Sequence, residues 1–122
     1  MQLSAERILT THVGSLPRPA ELEAMLLRRE KDQLDPQGQE RLPGLIVDAV
    51  NSVVRRQAEL GIDIVCDGEM GRYAYCTYAR ERMSGLDGED QPLALSELAE
   101  FPTFAQRIQL DIKTPACVGP VS

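Results

Sequence analysis

The sequence predicts an α/β fold with parallel strands, and three stretches of the chain carry that prediction. Residues 8–14 (ILTTHVG) are rich in β-branched residues and read as a short strand. Residues 43–60 place apolar residues at helical spacing. Gly61 then suits the C-terminal cap of a helix, and residues 62–67 (IDIVCD) read as a second strand. A strand, a helical region and a second strand form a βαβ unit, in which the two strands are parallel.

Two helices are predicted between these strands. Pro19 fits the first turn of a helix over residues 20–31, where apolar residues recur at helical spacing. Residues 32–39 (DQLDPQGQ) are polar and contain proline and glycine, so we expect a loop there. Pro43 suits the start of the second helix. The apolar stripe of this helix comprises Ile46, Val47, Val50, Val53, Val54, Ala58 and Leu60.

After the second strand, the pattern predicts short helices and a third strand. Helical pieces are expected over residues 74–85, 93–100 and 103–109, and a strand near residues 115–119. Three parallel strands cannot close a barrel, and their outer edges would remain unpaired. We therefore expect that the chain either oligomerises or is the front part of something longer, and we favour the second expectation.

Composition limits the partners of this protein. The 122 residues suffice for one domain at most, and the net charge of −6 argues against a nucleic-acid partner. No apolar run approaches the ~20 residues that span a bilayer, and the N-terminus lacks the features of a secretory signal, so we expect a cytoplasmic protein without a membrane partner. The spacing of Cys66, Cys76 and Cys117 fits neither a disulfide framework nor a CxxC zinc motif, which indicates reduced thiols.

The most unusual motif is DGEMGR, which follows the second strand without a spacer. It is either a solvated turn or one wall of a site. Glu69 is the main candidate for a functional carboxylate, whereas Asp67 is more typical of a cap or turn. Arg72 could pair with either carboxylate or contact an anionic substrate.

Several stretches resemble the N-terminal third of the cobalamin-independent methionine synthase family. They are ILTTHVGSLPRPAEL, QAELGIDIVCDGEMGRYAYCTYARERMSGL, FPTFAQRI and TPACVGPVS, in that order and at family-like spacing. The likeness is closer to the single-barrel branch, which includes epoxyalkane:coenzyme M transferase-like proteins. It implies that residues 1–122 are the N-terminal portion, about three βα units, of an incomplete TIM (β/α)8 barrel. The active site of such barrels lies at the carboxyl ends of the strands.

The resemblance also implies roles for individual residues. Val13, Gly14 and Ser15 match the segment that holds the carboxylate of an amino-acid thiol such as homocysteine. Glu69 matches the glutamate that binds the ammonium group of that substrate. His12 belongs to the matching THxGS motif, without a specified role. The substrate-binding candidates are therefore Val13, Gly14, Ser15, Glu69, His12, Asp67 and Arg72, and no catalytic residue is assigned.

The resemblance implies a zinc ion that holds the substrate thiolate, with its histidine, cysteine and glutamate ligands beyond residue 122. We therefore expect no metal on this chain alone. An alternative is a three-ligand zinc site of His12, Cys66 and Cys117, although cysteine in a strand is more often a core residue.

The resemblance therefore implies that this chain is the substrate-binding N-terminal part of a zinc-dependent thiol methyltransferase, which converts homocysteine to methionine with a methyl donor. We expect this chain to be inactive alone. One alternative is a non-catalytic truncated or split-subunit module, which assembles with a second polypeptide or as a homo-oligomer. Another is a thiol alkyltransferase that resembles epoxyalkane:coenzyme M transferase.

Overall fold

The computed structural model describes residues 4–89, 91–92, 100–107 and 113–122. The chain divides into two compact units, Met1–Tyr73 and Ala74–Ser122. The single partial domain expected over residues 1–122 therefore stays a prediction. Within the described ranges, no helix has the length and apolar character needed to cross a membrane.

The first unit contains two helices, α1 (Ala20–Glu30) and α2 (Pro36–Glu59). The prediction for α1 is confirmed to within one residue. Pro19 precedes the helix with φ −55°, and its carbonyl accepts the N–H of Glu23 at 3.0 Å. Acidic residues in the first turn and arginines in the last turn complement the helix dipole.

Helix α2 begins at Pro36 and not at Pro43, so the loop expected over residues 32–39 was wrong from residue 36 onward. The Asp35 carboxylate accepts a hydrogen bond from the Gly38 N–H at 2.7 Å, and Pro36 occupies the first turn. Both features favour a helix start. The second proline, Pro43, lies inside the helix, where it lacks the N–H that an interior residue normally donates.

The core of this unit lies between α1 and α2. Its buried residues are Leu22, Met25, Leu26, Leu42, Ala49 and Met70. The predicted stripe of α2 was partly wrong, because Val47 is 57% exposed and Leu60 is 62% exposed. The face that packs instead runs through Leu42, Ala49 and Gln57, with Ile46, Val50 and Val53 beside it. The earlier start of α2 accounts for part of the difference, since it adds Leu42 to the helix.

The strands expected over residues 8–14 and 62–67 are reduced to one parallel bridge between Thr11 and Ile64. The Ile64 N–H donates to the Thr10 carbonyl at 3.1 Å, and Thr11 Oγ1 donates to the Ile64 carbonyl at 2.8 Å. The parallel direction is as predicted. The Asp63 carboxylate accepts the Thr10 N–H at 2.8 Å, so this donor is not available to extend a ladder.

The second unit contains short elements. Helix α3 spans Tyr75–Arg80, strand β1 spans Gln91–Pro92, helix α4 spans Pro102–Arg107 and strand β2 spans Lys113–Thr114. Strands β1 and β2 pair antiparallel, with Gln91 opposite Thr114.

The third strand expected near residues 115–119 was wrong, because the strand ends at Thr114 and residues 115–122 have no regular structure. Pro115 lacks the N–H that a ladder requires, which explains the early end. Helix α3 is shorter than the predicted helix over 74–85. Most of the helical piece expected over 93–100, and residues 108–109 of the piece over 103–109, lie outside the described residues.

Candidate functional site

Two loops of the first unit meet at the ends of the bridged segments. We call them the loop pair, comprising residues 12–18 and 67–72. The Leu16 N–H donates to the Gly68 carbonyl at 3.0 Å, which joins the two backbones directly. A Cβ at position 68 would lie only 3.1 Å from the Leu16 Cβ, and Gly68 has a φ of +61°. Glycine is therefore favoured at position 68, because any other residue would be strained at this φ and would crowd Leu16.

The side chains of Ser15, Glu69 and Arg72 come together in the loop pair. Ser15 Oγ donates to Glu69 Oε2 at 2.7 Å, across 54 positions of sequence. Arg72 Nη2 donates to the other carboxylate oxygen, Glu69 Oε1, at 3.0 Å. Both oxygens of the carboxylate are thus engaged, and the group has a defined orientation.

The surroundings of Glu69 favour its ionised form. The Ser15 hydroxyl is the main cause that lowers the pKa of Glu69, and the Arg72 guanidinium adds to it. Partial removal from water acts in the opposite direction and is outweighed. The loop pair therefore holds a carboxylate that remains negatively charged at neutral pH.

The backbone of Glu69 adopts a conformation that is unusual for a residue with a side chain. Its φ is +57°, in the left-handed region that glycine or asparagine normally occupies. The Glu69 N–H donates to Asp67 Oδ1 at 3.0 Å, and the Arg72 N–H donates to the Glu69 carbonyl at 3.3 Å. Asp67 therefore acts as a turn residue that supports this conformation. Backbone strain of this kind is common where a side chain must be presented to a ligand.

Arg18 is a further member of the site to which the sequence analysis gave no role. Its Nη2 donates to the Arg72 carbonyl at 2.7 Å, to the Glu69 carbonyl at 3.0 Å and to Ser15 Oγ at 3.3 Å. The signal that could have found it is its position between Pro17 and Pro19, directly after the THVGS motif. Two prolines around one arginine restrict the backbone there, which helps to aim a long side chain.

The remaining candidates lie near this group without joining it. The Nε2 atom of His12 is 3.0 Å from the Gly14 carbonyl oxygen, which places the imidazole in a local turn contact. Gly14 has a φ of +95°, and a Cβ at this position would meet no atom within 4 Å. The side chain of Val13 is 87% exposed. The structure therefore brings Ser15, Glu69, Arg72 and Asp67 together and leaves these three residues beside them.

The described part of the chain does not fit a zinc ion. No group of three or more His, Cys, Asp and Glu side chains among its residues could hold a metal. The Cys66 thiol faces the side-chain oxygen of Gln57 at 3.6 Å, and the Cys117 thiol faces the Gly119 carbonyl at 3.2 Å. Both thiols are thus used in local contacts.

Chemically, the loop pair combines a fixed anion with a hydroxyl and two guanidinium groups. An oriented carboxylate can accept charge-assisted hydrogen bonds from an ammonium group. The exposed backbone beside Gly14 can donate N–H groups to an anion. This arrangement suits a small zwitterion better than a purely anionic or purely apolar ligand.

Comparison with known proteins assigns the chain to a family. The family model described as the catalytic domain of cobalamin-independent synthases matches residues 8–100. This chain belongs to that family, and the resemblance found in the sequence is confirmed.

Individual relatives give the same assignment. A methionine synthase from Sulfolobus acidocaldarius is 40% identical over 77 residues, which cover 63% of this chain and 22% of that protein. A methionine synthase from Pyrococcus furiosus is 36% identical over an alignment with the same coverage of both chains. The solved structure of a B12-independent methionine synthase from Shewanella sp. W3-18-1, in complex with selenomethionine, superposes with a TM-score of 0.59 at 29% identity. That superposition covers 93% of this chain and 29% of the Shewanella chain, so this chain spans less than a third of each of these proteins.

Proposed function

We propose that this chain is the substrate-binding N-terminal part of a zinc-dependent thiol methyltransferase, which transfers a methyl group to homocysteine and gives methionine. The observation that carries the proposal is the 2.7 Å hydrogen bond from Ser15 to Glu69, since it unites the two motifs in one small polar site. Relatives named methionine synthase support the reaction class. A Thermotoga petrophila relative, 27% identical over 77 residues, is named 5-methyltetrahydropteroyltriglutamate–homocysteine methyltransferase. Its name supports homocysteine as acceptor and a methylated folate as donor.

In this proposal each group of the loop pair has a separate task. Glu69 accepts hydrogen bonds from the ammonium group of homocysteine. The backbone N–H groups of Val13, Gly14 and Ser15 bind its carboxylate, because the single hydroxyl hydrogen of Ser15 is already donated to Glu69 Oε2. Fixing both charged ends leaves the thiol side chain pointing in one direction, which is the orientation that a transfer reaction requires. Arg72 keeps the Glu69 carboxylate in place through the 3.0 Å contact.

The methyl transfer itself needs parts that the described residues do not supply. Zinc activates a thiol by lowering its pKa, and its ligands are proposed to lie beyond residue 122. We place residues 1–122 at the start of a TIM (β/α)8 barrel in the cytoplasm. The chain alone is proposed to bind homocysteine without methylating it.

The charge of the site favours an amino-acid thiol over coenzyme M. Coenzyme M carries a sulfonate and no ammonium group, so it offers nothing to the ionised Glu69 carboxylate. Binding a second anion close to that carboxylate would also be unfavourable.

The proposal is tested by titrating the chain with homocysteine and with coenzyme M while following amide signals by NMR. Glu69→Gln is the variant, and Glu23→Gln, at an exposed position of α1, is the matched control. Homocysteine should bind the native chain and the control equally, and Glu69→Gln should weaken it by at least about tenfold, as expected for a charged hydrogen bond. Absence of saturable homocysteine binding, or equal binding by Glu69→Gln, would refute the proposal.

A further inference from the structure

We propose that Arg18 is a positioning residue, which holds the Glu69 carboxylate against the Ser15 hydroxyl and so sets how well the site recognises the ammonium group of its ligand. This inference rests on the proposed function of the loop pair. It adds a residue outside the motifs to which the resemblance assigned roles.

The contacts of Arg18 converge on the turn that carries Glu69. Its Nη2 donates to the carbonyls of Glu69 at 3.0 Å and of Arg72 at 2.7 Å, the two ends of that turn. An Nη2 group carries two hydrogens, so these two shorter contacts use both of them. The 3.3 Å contact to Ser15 Oγ is then the weaker, shared one. The Nη2 atom of Arg18 therefore bonds to both ends of the Glu69 turn and also contacts Ser15 in the facing loop; we call these contacts the Arg18 clamp.

This clamp acts on Glu69 through its backbone and through Ser15. Glu69 has a φ of +57°, and the hydrogen bond to its carbonyl helps to hold that unfavourable conformation. Ser15 has a single hydroxyl hydrogen, which it donates to Glu69 Oε2. Because the Arg18 N–H points at the Ser15 oxygen, the Ser15 hydrogen is directed toward Glu69 Oε2, and the hydroxyl becomes a stronger donor.

The side chain of Arg18 is held in this pose at a cost. Its Nε is buried and has no hydrogen-bond partner among the residues that the structure describes. A buried donor without a partner is unfavourable, and such groups in native structures call for an explanation. The two contacts of Nη2 with the Glu69 turn explain the unpartnered Nε, because they fix the position of the whole guanidinium group.

The first test compares two ligands on the full 122-residue chain. Homocysteine and 4-mercaptobutyrate share the thiol and the carboxylate, but only homocysteine has an ammonium group. Arg18→Met should weaken homocysteine binding by about tenfold and 4-mercaptobutyrate binding by less than about threefold, measured by NMR titration. Arg18→Lys should give an intermediate loss, because a lysine side chain ends one bond short of Nη2. Arg55→Met, at an exposed position of α2, should change neither affinity.

Two outcomes of this test would overturn the inference. Equal weakening of both ligands would indicate that Arg18 only maintains the fold. Unchanged homocysteine binding in Arg18→Met would indicate that Arg18 has no influence on the site.

A second measurement tests the positioning role of Arg18 without a ligand. The carboxyl carbon of Glu69, assigned with the Glu69→Gln variant, is titrated by 13C NMR. The Ser15 hydroxyl and Arg72 hold the pKa of Glu69 below its usual range, and the positive charge of Arg18 lowers it further. Because Arg18→Lys keeps that charge but is one bond too short for the contacts of Nη2, the Glu69 pKa of this variant should still move toward the ordinary value of ~4.3. An unchanged pKa would contradict positioning by Arg18. If the native chain binds no homocysteine, the proposed function fails, whereas this titration still tests the role of Arg18.

Discussion

Replacing Gln57 by leucine should destabilise the first unit and loosen the segment that leads into the loop pair. Gln57 is only 5% exposed and is the buried polar side chain on the face of α2 that packs on the core. Its amide nitrogen donates to the Cys66 carbonyl at 2.7 Å, and its side-chain oxygen accepts the Cys66 N–H at 3.2 Å. The Gln57 side chain thus forms the two hydrogen bonds with the Cys66 backbone that a neighbouring strand would otherwise form.

The magnitude follows from these two hydrogen bonds. Each contributes a net stabilisation of about 0.5–1.5 kcal/mol, so their loss should lower the free energy of unfolding by about 1–3 kcal/mol. Leucine has a similar volume and fills the space, so no large cavity is added to this loss. Since Asp67 and Glu69 follow Cys66 directly, the amide of Cys66 should also exchange with solvent faster.

Urea unfolding followed by circular dichroism measures the change, and hydrogen exchange reports on Cys66. Gln37→Leu is the matched control, because Gln37 is an exposed residue in the first turn of the same helix. The control should lie within about 0.5 kcal/mol of the native chain. A loss below about 0.5 kcal/mol for Gln57→Leu, with unchanged exchange at Cys66, would refute the view that Gln57 anchors this segment.

Two further predictions concern stability. Leu26→Ala should lower the free energy of unfolding by about 2–5 kcal/mol, because Leu26 is 0% exposed between α1 and α2, whereas the exposed Leu60→Ala should change little in the same urea experiment. Hydrogen bonds from Arg7 and from the Thr10 N–H hold the pKa of Asp63 well below its usual range. The ionised form therefore stabilises the fold above the unfolded-state pKa of ~3.9, and this stabilisation is lost as the pH falls from there toward the folded-state pKa. Asp63→Asn should flatten that part of the stability profile below about pH 4, and an unaltered slope would contradict the assignment.

Helix α1 could be predicted from the sequence, but the start of α2 could not. Pro19 and the following apolar spacing determine α1 locally, so its bounds follow from a few neighbouring residues. For α2, Pro43 resembled a start signal, and the true start depends on the Asp35 side chain that caps Gly38. Aspartate followed by proline is common in loops as well as at helix starts, so local pattern alone did not separate the two interpretations.

Strand length also depended on contacts that lie far apart in the sequence. Asp63 was read as part of the second strand, yet its carboxylate accepts hydrogen bonds from the backbone and the hydroxyl of Thr10. The Cys66 backbone likewise bonds to the Gln57 side chain. Both contacts satisfy groups that a longer ladder would have used, and neither could be read from alternation of apolar residues.

The meeting of Ser15 and Glu69 could be expected because both follow segments that run in parallel. Their pairing with each other, the left-handed turn and the participation of Arg18 required coordinates. A long side chain that bonds to carbonyls more than 50 positions away leaves no periodic signal, as the 51-residue separation of Arg18 from Glu69 illustrates. The roles of these residues in ligand binding remain predictions.

The backbone angle at position 69 bears on how this site could evolve. A collection of random variants selected only for folding should accumulate glycine or asparagine there, since both tolerate a positive φ. Selection for capture of an amino-acid thiol should instead retain glutamate. Selection for folding and selection for ligand capture therefore favour different residues at position 69. The residue found there in a lineage would show which selection has acted.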